Sequence, residues 1–166
     1  MNKKAIIGIF IGIVVIISGL IWLGGATTDQ NGQANTGSVL GSLKAEETLF
    51  DFGTISMVNG KVNHEFRVTN NSQQPVTLNK VYTSCMCTAA NLKLNGKTYG
   101  LFGMEGMGGL TSTNATINPG DMAIIEAIYD PNAHGPAGVG SIDRFIYLQD
   151  PDGAQLKFEI KAVVTP

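Results

Sequence analysis

From Ala45 onward, the sequence is a succession of short strand-like segments separated by turn residues, with no segment of helical period. Residues 62–68 alternate between core-type and polar side chains, the period-two pattern of a half-buried strand. Asn95-Gly96 predicts a hairpin with a type I′ turn, because both residues tolerate positive φ. Further strands are predicted at 48–53, 76–81, 92–94, 97–99, 115–117, 122–129, 142–149 and 156–164. These short segments predict an all-β fold, an antiparallel immunoglobulin-like β-sandwich, for which we expect seven or eight strands.

The N-terminus has the pattern of a membrane segment. Lys3 and Lys4 precede an uncharged apolar run over residues 5–25, and about 20 helical residues cross a hydrocarbon core of roughly 30 Å. The lysines predict a cytoplasmic N-terminus and an extracytoplasmic domain. We therefore expect a single-pass anchor at 1–26, a Gly/Ser/Thr/Asn-rich flexible linker at 27–44 and one domain at 45–166. A removed signal peptide is the alternative, since Gly24-Gly25-Ala26 has the small-x-small form of a cleavage site.

The charge of the chain argues against nucleic acid as a partner. Without Lys3 and Lys4, nine basic residues face thirteen acidic ones, and no basic patch with interleaved aromatic residues is present. Catalytic motifs are missing as well, because the acidic residues have no evident partner base and neither a Gly-x-Ser-x-Gly elbow nor a phosphate-binding loop occurs. The sequence therefore predicts a protein that is not an enzyme.

Both cysteines of the chain flank one methionine, in Cys85-Met86-Cys87. Three interpretations are open. A disulfide is expected outside the cytoplasm, but a ring this small would constrain little of the chain. A redox dithiol is the second interpretation, although no basic residue lies nearby in the sequence to lower a thiol pKa. The third is a soft metal site, since thiolate and thioether ligands select Cu(I).

Two other segments supply candidate ligands. Met104 and Met107 lie in residues 100–109, a stretch with five glycines, which we expect to form neither helix nor strand. His134 lies on a Pro- and Gly-rich loop at 130–140. We therefore predict a Cu(I) site of Cys85, Cys87, Met104, Met107 and His134, with the two loops converging on the cysteines. Zinc is the alternative metal, held by Cys85, Cys87, His64 and His134; otherwise we expect His64 to face the core.

The order of several short motifs resembles one family. They are Phe50-Asp51-Phe52-Gly53, His64-Glu65-Phe66 followed by Asn70-Asn71, Ser84-Cys85-Met86-Cys87-Thr88, Asn118-Pro119-Gly120-Asp121 and Tyr129-Asp130-Pro131. Together they resemble the bacterial extracytoplasmic family known as domain of unknown function 1573. The resemblance implies an immunoglobulin-like fold of the major-sperm-protein and ASH type, whose members are scaffold and interaction modules. It implies no settled function.

The function predicted from these observations is a bacterial, membrane-anchored, extracytoplasmic domain that binds or delivers a soft metal ion. One alternative is a non-catalytic interaction module that docks other envelope proteins. A second is a thiol-disulfide redox protein.

Overall fold

The computed structural model describes residues 41–166, and this part of the chain is built almost wholly from β-strands. Two 3₁₀ turns interrupt them, at Met57–Asn59 and Gly135–Gly138. The strands are β1 (Leu43–Ala45), β2 (Leu49–Ser56), β3 (Val62–Asn70), β4 (Val76–Thr83), β5 (Thr88–Leu94), β6 (Lys97–Phe102), β7 (Ser112–Ile117), β8 (Met122–Tyr129), β9 (Gly140–Gln149) and β10 (Gln155–Thr165).

The strands form two five-stranded sheets. The first has the order β1-β3-β8-β5-β6 and the second the order β2-β10-β9-β4-β7. Every pair is antiparallel except β2 with β10, which run parallel. The all-β sandwich is confirmed, whereas the expectations of seven or eight strands and of purely antiparallel pairing were wrong for the described residues.

One additional strand and one longer strand come from pairing that the local sequence does not reveal. β1 has three residues and begins at Leu43, two residues inside the predicted linker. β6 continues through Gly100 to Phe102, into the glycine-rich stretch for which no strand was expected. Pairing with β5 overrides the weak strand propensity of glycine there.

The core lies between the sheets and is built from alternate residues of the strands. In β8, alternate residues from Ala123 to Tyr129 are buried, and in β10 alternate residues from Leu156 to Val164 are buried. His64 precedes the buried Phe66 on the same face of β3, and its ring stacks on Phe50 at 3.6 Å between centroids. The hairpin between β5 and β6 turns at Asn95 and Gly96, whose φ angles of 52° and 76° are both positive, as the type I′ prediction requires.

The site is positioned where the chain crosses between the sheets. β4 belongs to the second sheet and β5 to the first, so residues 84–87, which contain both cysteines, connect the two layers at one rim of the sandwich. The predicted anchor at 1–26 and nearly all of the predicted linker lie outside the described residues. Within 41–166, no helix is long and apolar enough to cross a bilayer.

Candidate functional site

The connection between β4 and β5 is held by hydrogen bonds from both sides. Ser84 N donates to Phe145 O at 2.9 Å, and Phe145 N donates to Ser84 Oγ at 2.9 Å. Asp130 N donates to Cys87 O, also at 2.9 Å. These bonds tie the cysteine turn to β9 and to the end of β8, so its position does not depend on the turn alone.

Thr83 closes the turn from inside. The side chain is buried, and its hydroxyl lies 3.0 Å from Cys85 O and 2.9 Å from Thr88 O. The buried hydroxyl, within hydrogen-bond distance of both carbonyls, links the cysteine turn to the start of β5, and the backbone bond from Thr88 N to Cys85 O at 3.1 Å closes the same turn. The turn is therefore a preorganised element.

Cys85 and Cys87 form a disulfide, with their Cα atoms 5.2 Å apart. Of the three interpretations left open by the sequence, the structure shows the oxidised pair. The two sulfurs have different surroundings, because Cys87 is only 2 % exposed whereas Cys85 is partly exposed. Cys87 N lies 3.3 Å from Cys85 Sγ and donates to it.

His134 reaches the cysteines from the loop between β8 and β9. Its Nε2 lies 3.3 Å from Cys85 Sγ, and the ligand atoms of Cys85, Cys87 and His134 all lie within 4.8 Å of one another. The loop is held in place by Asn132, whose Nδ2 donates to Met57 O at 2.8 Å. The expected approach of the His134 loop to the cysteines is thus observed.

Arg144 is part of the site and was missed by sequence reasoning. It lies on β9, and its Nε donates to Cys87 Sγ at 3.2 Å, while its Nη1 donates to Asp143 O at 2.8 Å. Its charge also acts on the buried Tyr129: burial raises the pKa of that hydroxyl, and Arg144 opposes the rise. No basic residue lies near the cysteines in the sequence, as the sequence argument stated, but Arg144 lies next to Cys87 in the folded structure.

The glycine-methionine loop lies beside the end of β4. Thr83 N donates to Gly103 O at 3.1 Å, and the backbone of Met104 forms a parallel bridge with Thr83, two residues before Cys85. The side chain of Met104 is partly buried, whereas Met107 and Met86 are each 58 % exposed. The backbone of this loop thus approaches the site, and the roles of Met104 and Met107 as ligands stay predictions.

The four-residue zinc set is not assembled. In the described part of the chain, the group of metal-ligand atoms contains Cys85, Cys87 and His134 but not His64. His64 lies on β3, where its Nε2 contacts Glu47 Oε1 at 2.7 Å. This position agrees with the expectation that His64 faces the core, because its side chain is only 19 % exposed.

Comparison with known families confirms the resemblance seen in the sequence. Residues 43–98 match the model of DUF1573, described as a protein of unknown function. The matched segment contains the Phe50-Asp51-Phe52-Gly53 motif and both cysteines, while the Pro119-Gly120-Asp121 and Tyr129-Asp130-Pro131 motifs lie beyond it. No curated protein matches the chain significantly.

Several solved structures are similar to this chain at low sequence identity. A protein of unknown function from Porphyromonas gingivalis W83 is 18 % identical with a TM-score of 0.52, and the match covers 74 % of this chain and 46 % of that one. A family 123 glycoside hydrolase from Clostridium perfringens is 9 % identical with a TM-score of 0.52, covering 74 % and 27 %. A human ASH/PapD-like domain, domain 7 of CEP192, is 8 % identical with a TM-score of 0.45, covering 84 % and 95 %. This chain therefore corresponds to less than half of the first two proteins, and the likeness to them concerns the fold alone.

Proposed function

We propose that this protein is a non-catalytic copper-binding domain that holds Cu(I) on the extracytoplasmic side of a bacterial membrane and delivers it to other envelope proteins. The observation that carries the proposal is the convergence of Cys85, Cys87 and His134, whose ligand atoms lie within 4.8 Å of one another. Thiolates select Cu(I), and imidazole suits copper as well. The extracytoplasmic location rests on the sequence pattern of residues 1–26.

The ligand set suits Cu(I) better than structural zinc. Binding needs the cysteines in the reduced form, because only thiolates act as ligands. The group of Cys85, Cys87 and His134 then offers two thiolates and one imidazole nitrogen, whereas a structural zinc site closes with four protein ligands. His64, which would complete a Cys₂His₂ set, instead pairs with Glu47.

Arg144 adds an electrostatic argument. Two thiolates and one Cu(I) carry a net charge of −1 at a rim where Cys87 is 2 % exposed. The guanidinium of Arg144, with its Nε 3.2 Å from Cys87 Sγ, offsets that charge where water cannot. The same contact supports the reduced pair before copper arrives.

The test is an anaerobic titration of the reduced full chain with Cu(I) against a competing chromophoric chelator. We expect one Cu(I) per chain, lost in the Cys85→Ser/Cys87→Ser variant. Replacing His134 with Asn should weaken the affinity about tenfold or more. Absence of bound Cu(I) in the reduced wild-type protein, or full binding by the double variant, would overturn the proposal.

The chain offers matched controls for each class of ligand. His64 is the only other histidine, so His64→Asn should leave the Cu(I) affinity unchanged. Met104→Leu and Met107→Leu, made separately, decide whether either thioether completes the site. A parallel titration with Zn(II) distinguishes the alternative metal.

A second candidate function is thiol-disulfide exchange, and the disulfide itself favours it. A protein of that kind would catalyse the reduction of insulin by dithiothreitol without binding copper. A chain that does neither would instead fit the interaction module, the other alternative raised by the sequence.

A further inference from the structure

The oxidised site is asymmetric, and the asymmetry determines how it can be opened. Cys85 is partly exposed and is flanked by the exposed residues Ser84, Met86 and His134. Cys87 is 2 % exposed and lies beneath them. An incoming thiolate must approach along the S–S axis of the bond that it breaks, so only Cys85 Sγ is accessible to attack from solvent.

We propose that the Cys85–Cys87 disulfide is a substrate for a dithiol reductant, which attacks Cys85 and releases Cys87 as a thiolate held by Arg144. The inference rests on the proposed function only in giving a reason for reduction, since copper binding requires the open pair. The chemistry of opening involves no copper.

The exchange proceeds in two balanced displacements. The first thiolate of the reductant bonds to Cys85 Sγ, the S–S bond breaks, and Cys87 Sγ leaves with the electron pair. The second thiolate of the reductant then attacks the first sulfur of the reductant, which is bonded to Cys85 in the mixed disulfide, and expels Cys85 Sγ. Two electrons pass from the dithiol to the protein, the reductant becomes a disulfide, and its two protons pass to the released sulfurs or to water.

Arg144 favours the first displacement because it contacts the leaving sulfur. Its Nε already donates to Cys87 Sγ at 3.2 Å in the oxidised form, so the donor is in place before negative charge develops there. A hydrogen bond from a charged donor to a forming thiolate is stronger than one to a neutral sulfur. Arg144 therefore lowers the activation barrier for breaking the S–S bond with Cys87 Sγ as the leaving group.

The closeness of the two cysteines explains why the reductant must be a dithiol. Their Cα atoms are 5.2 Å apart, and backbone bonds to β8 and β9 hold the turn. The released Cys87 thiolate therefore attacks the mixed disulfide on Cys85 at high effective concentration and expels a monothiol. A dithiol outcompetes this reclosure because its own second thiolate is equally close.

The experiment uses the oxidised full chain without copper. The protein is treated with glutathione, quenched with iodoacetamide and digested, and mass spectrometry locates the glutathione. In the small fraction of chains that is alkylated before reclosure, we expect glutathione on Cys85 and the alkyl group on Cys87, with little net reduction by glutathione and rapid reduction by dithiothreitol. Glutathione found on Cys87 would overturn the assignment of the attacked sulfur.

Variants test the role of Arg144. Arg144→Met should slow opening by dithiothreitol about tenfold, and Arg144→Lys should recover part of the rate because it retains a charged donor. Arg67, the only other arginine, lies exposed on β3. In the Arg67→Met variant, dithiothreitol should open the disulfide at the wild-type rate. Opening of Arg144→Met at the wild-type rate would refute the role of Arg144. Cu(I) binding by the chemically reduced protein is measured separately, so a failure of this inference is distinct from a failure of the proposed function.

Discussion

Asn70 offers the sharpest stability prediction, because one buried side chain joins three segments of the sandwich. It is fully buried at the end of β3. Its Nδ2 donates to Gln74 O and to Ile117 O, both at 2.8 Å. Its Oδ1 accepts from Ser72 N at 3.0 Å and from Ser72 Oγ at 2.7 Å. The side chain thus connects the β3–β4 turn to the end of β7.

We expect Asn70→Ala to lower the free energy of unfolding by about 3 kcal/mol. Each of the four hydrogen bonds contributes on the order of 1 kcal/mol net. The bonds to Gln74 and Ser72 lie toward the surface, where water replaces them in part. The carbonyl of Ile117 is buried and would be left unpaired, at a cost of about 1–3 kcal/mol.

The assay is urea unfolding of the full chain, followed by far-UV circular dichroism. With a slope of about 1.5 kcal/mol/M, a loss of 3 kcal/mol moves the midpoint down by about 2 M urea. The control is Asn71→Ala, which changes the adjacent but exposed asparagine and should stay within about 0.5 kcal/mol of wild type. Equal midpoints for the two variants would refute the argument.

A second variant separates hydrogen bonding from packing. Asn70→Asp keeps the shape of the side chain but places an oxygen where Nδ2 faces the carbonyls of Gln74 and Ile117. At neutral pH it should destabilise at least as much as Asn70→Ala, because a buried carboxylate would face two carbonyl oxygens. In acid the loss should shrink, since the protonated carboxyl regains one donor.

Two further predictions concern pH and backbone conformation. The hydrogen bond from Asn91 is the largest of the effects that lower the pKa of Glu126 in the folded protein. The ionised Glu126 therefore stabilises the fold fully above the pKa that it has in the unfolded chain, and this stabilisation is lost as the pH falls through its lower pKa in the folded protein. Glu126→Gln should reduce the loss of unfolding free energy on acidification by about 1 kcal/mol, measured by urea unfolding at successive pH values. A variant whose stability depends on pH as the wild type does would contradict this. Gly100→Ala would place Cβ 2.9 Å from Cζ of the buried Phe102 at a φ of +59°, and should cost about 2 kcal/mol more than Gly153→Ala. Gly153 also has positive φ but open space around it, so equal losses in thermal unfolding would exclude the clash.

The strands were predictable where local pattern and tertiary pairing agree. β8 has the predicted bounds, 122–129, because its apolar run begins after the Asn118-Pro119-Gly120-Asp121 turn and ends before Asp130-Pro131. β6 was only partly predicted, since Gly100 to Phe102 reads as a break in the chain. There Phe102, 1 % exposed, fills the core, and pairing of that segment with β5 holds the strand. The partner strand is the other arm of the same hairpin, but Gly100 hides this continuation of β6 from the local sequence pattern.

The candidate site shows the same limit more clearly. His134 could be singled out from composition, because a histidine on a Pro- and Gly-rich loop is unlike the scaffold around it. Arg144 had no such mark, as a single basic residue in a strand is ordinarily a solvent-facing one. Its position follows from the antiparallel register of β4 and β9, in which Thr83 pairs with Ile146. When this register is extended two residues beyond the end of β4, Arg144 lies opposite Cys85. An arginine 57 residues from Cys87 in sequence thus becomes its neighbour through one strand pairing, and the proposed opening of the disulfide depends on a contact that only the sheet order reveals.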